Sequence, residues 1–76
     1  MIARNNAKLT TYSELADVLT ELPTLIRAER RRRGVSVRQV ARESGMSFST
    51  VNRFENGEDA NLSNVMSLLR WLDGAS

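Results

Sequence analysis

Seventy-six residues allow one small domain, and a chain of this size buries only about 60–65% of the surface its unfolded form exposes. With no Cys and no His, disulfides, thiolate chemistry and the commonest metal ligands are excluded together. Net charge is only +2, but residues 27–56 hold eight arginines against three acidic groups, and both flanks are net negative. A segregated basic patch of this kind suits a polyanion.

Period-3.6 patterns dominate and no run alternates with period 2, which predicts an all-α fold of five helices. Residues 1–10, MIARNNAKLT, carry no such pattern and lack the apolar centre of a signal peptide. They read as a flexible N-terminal tail carrying Arg4 and Lys8, ahead of a single domain over 11–76. No apolar run approaches the ~20 residues needed to span a bilayer, so the expectation is a soluble, cytoplasmic protein with no membrane contact.

The first helix is expected from about Thr11, with Tyr12, Leu15, Val18, Leu19 and Leu22 on one stripe. Pro23 cannot continue it without a clash with the carbonyl four residues back, and it suits the start of a second helix. That helix runs to about Arg33, with Gly34 as its stop. Ser36 then caps a third helix ending near Ser44, with Gln39 completing a capping-box pattern. Gly45 interrupts, Ser47 caps a fourth helix that closes at ENG (55–57), and Asn61 caps a last helix whose apolar positions run from Leu62 to Leu72.

In the two central helices the inward stripe reads Val37, Val40, Ala41, then Met46, Val51 and Phe54. Ala41 and Gly45 are small where two helices cross with a tight turn between them, the spacing a helix-turn-helix needs. From Leu25 to Leu72 the chain resembles the lambda-repressor/Cro-like helix-turn-helix domain, through RRRRGVSVRQVARESGMS, STVNRFENG and NLSNVMSLLRWL. The fold expected is a compact five-helix bundle with a central helix-turn-helix and an additional N-terminal helix. The chain departs from the family in three places. Val37 stands where the family has Gln, the loop after ENG is the acidic EDA rather than basic, and the 76 residues hold no helix beyond the one ending at Leu72. The Tyr12–Leu22 stripe is the expected substitute, packing beside Leu68, Leu69 and Leu72 within its own chain or across a dimer, with Trp71 exposed.

The resemblance implies that the helix from Ser47 to Asn56 lies in the DNA major groove, where base edges carry a distinguishable donor and acceptor code. With Val51 at the buried centre, Ser49, Asn52, Arg53 and Asn56 fall on the opposite face at 100° per residue. Arg53 suits guanine and Asn52 adenine. Ser47 and Ser49, at the helix N-terminus, suit bases or phosphate. Phe48 is either half-buried against the preceding helix or in contact with a thymine methyl. Asn56 either ends the helix or meets phosphate. Ser36, Arg38 and Arg42 are the other phosphate candidates, and Arg31–Arg33 read as solvated arginines favoured by the macrodipole. Arg30 and Glu55 both point inward, where an isolated charge is expensive; pairing with each other is the cheapest resolution, and the resemblance implies the same bridge.

These readings make the chain a sequence-specific double-stranded DNA-binding transcriptional regulator of the small Cro type, a homodimer on its operator, with no cofactor, metal or small-molecule ligand. A protein-interaction module, such as an antitoxin using the Tyr12–Leu22 stripe, is the rival. A nuclease is disfavoured because Glu55, Glu58 and Asp59 have no His or Lys nearby to act as base.

Overall fold

The computed structural model describes residues 11–74; the tail expected over 1–10, with Arg4 and Lys8, lies outside them. Four helices and no strand are present among the described residues: α1 (Tyr12–Arg33), α2 (Val37–Ser44), α3 (Phe48–Glu55) and α4 (Leu62–Gly74). The fold is all-helical as expected, but the count of five is corrected to four because the chain does not break at Pro23.

Helix α1 starts where its sequence says it should. Thr11 closes a full capping box, its Oγ1 accepting from the Glu14 N–H at 3.0 Å and its own N–H donating to Glu14 Oε1 at 2.8 Å. The helix then continues through Pro23 for 22 residues. An interior proline costs roughly 3 kcal/mol through a missing N–H and a crowded carbonyl. Continuity keeps Leu22 and Ile26, one turn apart, on a single face, and both are fully buried. At about 1.5–3 kcal/mol for each large side chain buried, that gain offsets the proline. Sequence periodicity sees the local cost but not the tertiary gain.

The helix ends at Gly34, whose φ of 71° is left-handed and whose N–H turns back to the Arg30 and Arg31 carbonyls. Ser36 caps α2 by accepting from the Gln39 N–H at 3.1 Å. The reciprocal half of that capping box is not made: the Gln39 amide instead donates to Glu43 Oε2 and accepts from Arg42 Nη2. Gly45 at φ 76° stops α2 in the left-handed region, where any Cβ would be strained, and Ser47 caps α3 two residues later. This short turn lets α2 and α3 cross closely over Ala41. Asn61 caps α4, its side-chain oxygen accepting from the Asn64 N–H at 2.9 Å.

The core takes Leu22 and Ile26 from α1, Val40 and Ala41 from α2, Val51 and Phe54 from α3, and Leu68 and Trp71 from α4. Trp71 was expected to be exposed; it is 6% exposed. Its indole N–H donates to Glu43 Oε1 at 2.8 Å, and the Arg33 guanidinium lies 4.1 Å above its ring. The C-terminal half of α1 therefore closes the core beside α4. Docking of the N-terminal stripe within the chain is corrected to Leu22 alone, which is fully buried: every residue from Thr11 to Glu21 is exposed, including Leu15, Val18 and Leu19 at about 40% and Tyr12 at 93%.

Candidate nucleic-acid interface

The site is built on α3, and its backing explains its rigidity. Val51 and Phe54 anchor the helix in the core. At its C-terminal end Glu55 is only 8% exposed. Arg30 meets it as a fork, Nε to Oε2 at 2.8 Å and Nη2 to Oε1 at 3.0 Å. Two parallel charge-assisted bonds fix orientation as well as supplying energy. Arg27 adds a third tie, its Nη2 donating to the Glu55 main-chain oxygen at 2.6 Å. Helix α1 thus holds α3 through one acidic residue and both of its polar ends, side chain and carbonyl.

The face opposite Val51 is open. Ser49, Asn52, Arg53 and Asn56 are all exposed, so one helix presents two amides, a hydroxyl and a guanidinium to solvent. They are not equally free. Asn56 folds back, its Nδ2 donating to the Asn52 carbonyl at 3.0 Å, in keeping with its place at the helix end. Arg53 is tied to Asp59, Nε to Oδ2 at 2.5 Å. Ser47 uses its hydroxyl at both ends, accepting from the Thr50 N–H and donating to Thr50 Oγ1 at 2.8 Å. It is a cap first.

The rim comes from α2. Arg38 lies in its first turn and its guanidinium stacks 4.4 Å from the Phe48 ring centroid. Phe48 is 39% exposed, covered on one side by that arginine, so the two helix N-termini meet through a cation–π contact. Arg38, Arg42, Ala41, Met46 and Phe48 together line a shallow hollow between α2 and α3. Arg42 donates to Gln39 Oε1 at 2.7 Å, and Ser36 caps the start of α2. Ser36, Arg38, Ser47 and Phe48 are thereby gathered at the N-terminal ends of α2 and α3, while Arg42 stands in the last turn of α2 and Arg53 and Asn56 lie at the C-terminal end of α3.

Of the arginine run, Arg31 and Arg32 match the solvated reading and Arg33 does not. Arg32 and Arg33 both bond Glu29, and Arg33 reaches the Leu72 carbonyl at 3.0 Å as well as the Trp71 ring. Arg33 thereby ties α1 to α4, while Arg32, its side chain 71% exposed, pairs only within its own helix. Three participants were missed from sequence. Arg27 is one, although it stands one turn before Arg30 on the same face, the available signal. Glu43 and Asp59 are the others, and their partners lie across loops that periodicity does not reach.

Among the described residues there is no cluster of acidic groups able to hold a metal ion, and no helix is long and apolar enough to cross a membrane. No curated protein and no solved structure matches the chain. A helix-turn-helix domain family matches residues 21–73, a span that begins inside α1, takes in both central helices and ends in α4. With well over half of its residues matched, and with α2, the Gly45 turn and α3 in the arrangement just described, the chain belongs to the helix-turn-helix domain family.

Proposed function

We propose that this protein is a sequence-specific regulator of transcription that lays α3 in the major groove of double-stranded DNA. The single observation that carries the proposal is the solvent face of α3. It offers Ser49, Asn52 and Arg53 on a helix pinned from behind by Arg27, Arg30 and Glu55. A helix of this width fits the major groove, where guanine offers two acceptors to arginine and adenine a donor–acceptor pair to an amide. Arg38 and Arg42, with the capped N-terminus of α2 at Ser36, supply the phosphate contacts that set register. Ser47, Phe48 and Asn56 complete the contact surface at the two ends of α3. Residues 11–76 act as one DNA-binding unit, most like a small bacterial or phage repressor of the Cro type in the host cytoplasm or nucleoid. Regulation is by occupancy: a dimer seated on a palindromic operator excludes polymerase.

Selection of binding sites from random duplexes tests the proposal directly, by enriching one short palindromic sequence. On that site Arg53→Ala costs about 1–3 kcal/mol and relaxes preference at one base pair. Arg38→Ala weakens all duplexes alike and lowers the salt slope by about one unit. Unchanged cognate binding by Arg53→Ala would rule out the major-groove assignment. The exposed stripe of α1 favours one other reading, an antitoxin-like interaction module; failure of any duplex to enrich would move the assignment there.

A further inference from the structure

Arg53 is the group on which the proposed base reading turns most heavily, and it is not loose. Its Nε–H donates to Asp59 Oδ2 at 2.5 Å. The contact uses the inner edge of the guanidinium, and among the described residues no bond engages either terminal amino group. Those two terminal groups are the ones that span guanine O6 and N7.

Asp59 is itself held in an uncommon state. Its φ is 55°, and it is the one non-glycine residue with positive φ among the described residues. L-residues avoid this region, and Asp tolerates it better than most. The surroundings fix it there: Asn64 Nδ2 donates to the Asp59 carbonyl at 2.8 Å, and the Glu58 N–H returns to the Arg53 carbonyl at 2.9 Å. The loop between α3 and α4 is therefore bent so that an acidic side chain faces back onto the recognition helix. Near a phosphate backbone an unpaired carboxylate would be repelled, so its placement calls for a compensating use.

We propose that Asp59 is a positioning residue for base recognition, bracing the Arg53 guanidinium through Nε so that its two terminal nitrogens meet guanine already oriented. The inference rests on the major-groove reading of α3. An arginine free to rotate must be immobilised on binding; an arginine already braced avoids that loss, which amounts to about 2- to 10-fold in affinity. Because the brace acts only through Arg53, its effect falls on one base pair.

The test uses the site recovered by selection and its variants at the base pair that Arg53→Ala relaxes. Asp59→Gly removes the carboxylate and accepts the left-handed backbone without strain. It lowers preference at that base pair by about 2- to 10-fold, leaves the melting temperature unchanged because the ion pair is exposed, and has no effect in an Arg53→Ala background. Asp59→Asn, which keeps an acceptor and tolerates the same φ, retains part of the preference. If Asp59→Gly instead tightens binding to every duplex equally with preference intact, the carboxylate acts only by repulsion and the proposal fails. The same loss of preference in the Arg53→Ala background also overturns it. Should Arg53→Ala itself change nothing, the major-groove reading falls and the brace with it, an outcome distinct from the first two.

Discussion

At the scale of single residues, Glu55 carries more of the molecule than any other polar group. It receives Arg30 as a fork on its carboxylate and Arg27 on its carbonyl, from inside a core that leaves it 8% exposed. Replacing a buried pair outright is often harmless, but removing one partner strands the other charge at about 3–5 kcal/mol. Glu55→Ala falls at the lower end of that range, because the Arg30 side chain remains 18% exposed and keeps a longer bond to the Val35 carbonyl at 3.4 Å. A loss of about 3 kcal/mol takes much of the stability of a domain this small, and at about 4–8 °C per kcal/mol it lowers the melting temperature by more than about 12 °C. Calorimetry on the variant decides it: a shift of only a couple of degrees would mean that solvent screens the pair. On the proposed reading DNA affinity should fall in parallel, since α3 loses its carboxylate ties to Arg30 and keeps only the Arg27 bond to the residue-55 carbonyl.

At the scale of the helix, the caps were legible and the long-range ties were not. Ser36, Ser47, Asn61, Gly34 and Gly45 were all placed from sequence, because each satisfies orphan groups within one turn of itself. Continuity through Pro23 was not, because its compensation is the burial of Leu22 and Ile26 in a core that α3 and α4 close against α1. Likewise Trp71 reads as exposed until α2 and the end of α1 are in place, bringing Glu43 and Arg33 to it. The exposed face of α3 was legible because its period-3.6 pattern needs only Val51 as origin; the Arg53–Asp59 tie was not, because it depends on a loop conformation. The last turn of α1 shows an ion-pair group with a consequence in solution. Hydrogen bonds from Arg32 and Arg33 hold the Glu29 carboxyl at about 2, below its ordinary 4.5. A carboxyl depressed on folding contributes above its unfolded pKa and is lost as pH falls through the folded one. Part of the stability present at pH 5 should therefore disappear between about pH 4.5 and pH 2, and Glu29→Gln should flatten that limb of the melting curve. An acid limb identical to wild type would show that the cluster has no energetic weight.

Residues 11–74 form an elongated body, 41 × 25 × 20 Å, and α1, about 33 Å long at 1.5 Å per residue, accounts for much of that. Its stripe Tyr12, Leu15, Leu19, Leu22 and Ile26 has the alternating three-and-four spacing of a coiled-coil seam. Leu22 and Ile26 are consumed by the chain's own core, while Tyr12, Leu15, Val18 and Leu19 project from it. A three-turn helix standing alone in water is marginal, and its capping box supplies little against four exposed apolar side chains. The occupant we infer is a second copy of this chain. Glu14, Asp17 and Glu21 fall about 100° or more from the centre of the stripe, so two copies can pair along it without opposing like charges. A two-fold axis there also gives a helix-turn-helix unit the symmetry that a palindromic operator requires. Leu19→Glu puts a charge into the seam at a position that is exposed in the single chain, so the core built on Leu22 and Ile26 should stay folded while the turns before Leu22 lose helix as the dimer separates. Sedimentation should show the dimer weakened by at least about 10-fold, with operator binding reduced to independent half-sites. A wild-type protein that sediments as a monomer at tens of micromolar, on and off DNA, would show that this stripe serves some other partner. A Leu19→Glu dimer as tight as wild type would place the interface elsewhere on the molecule.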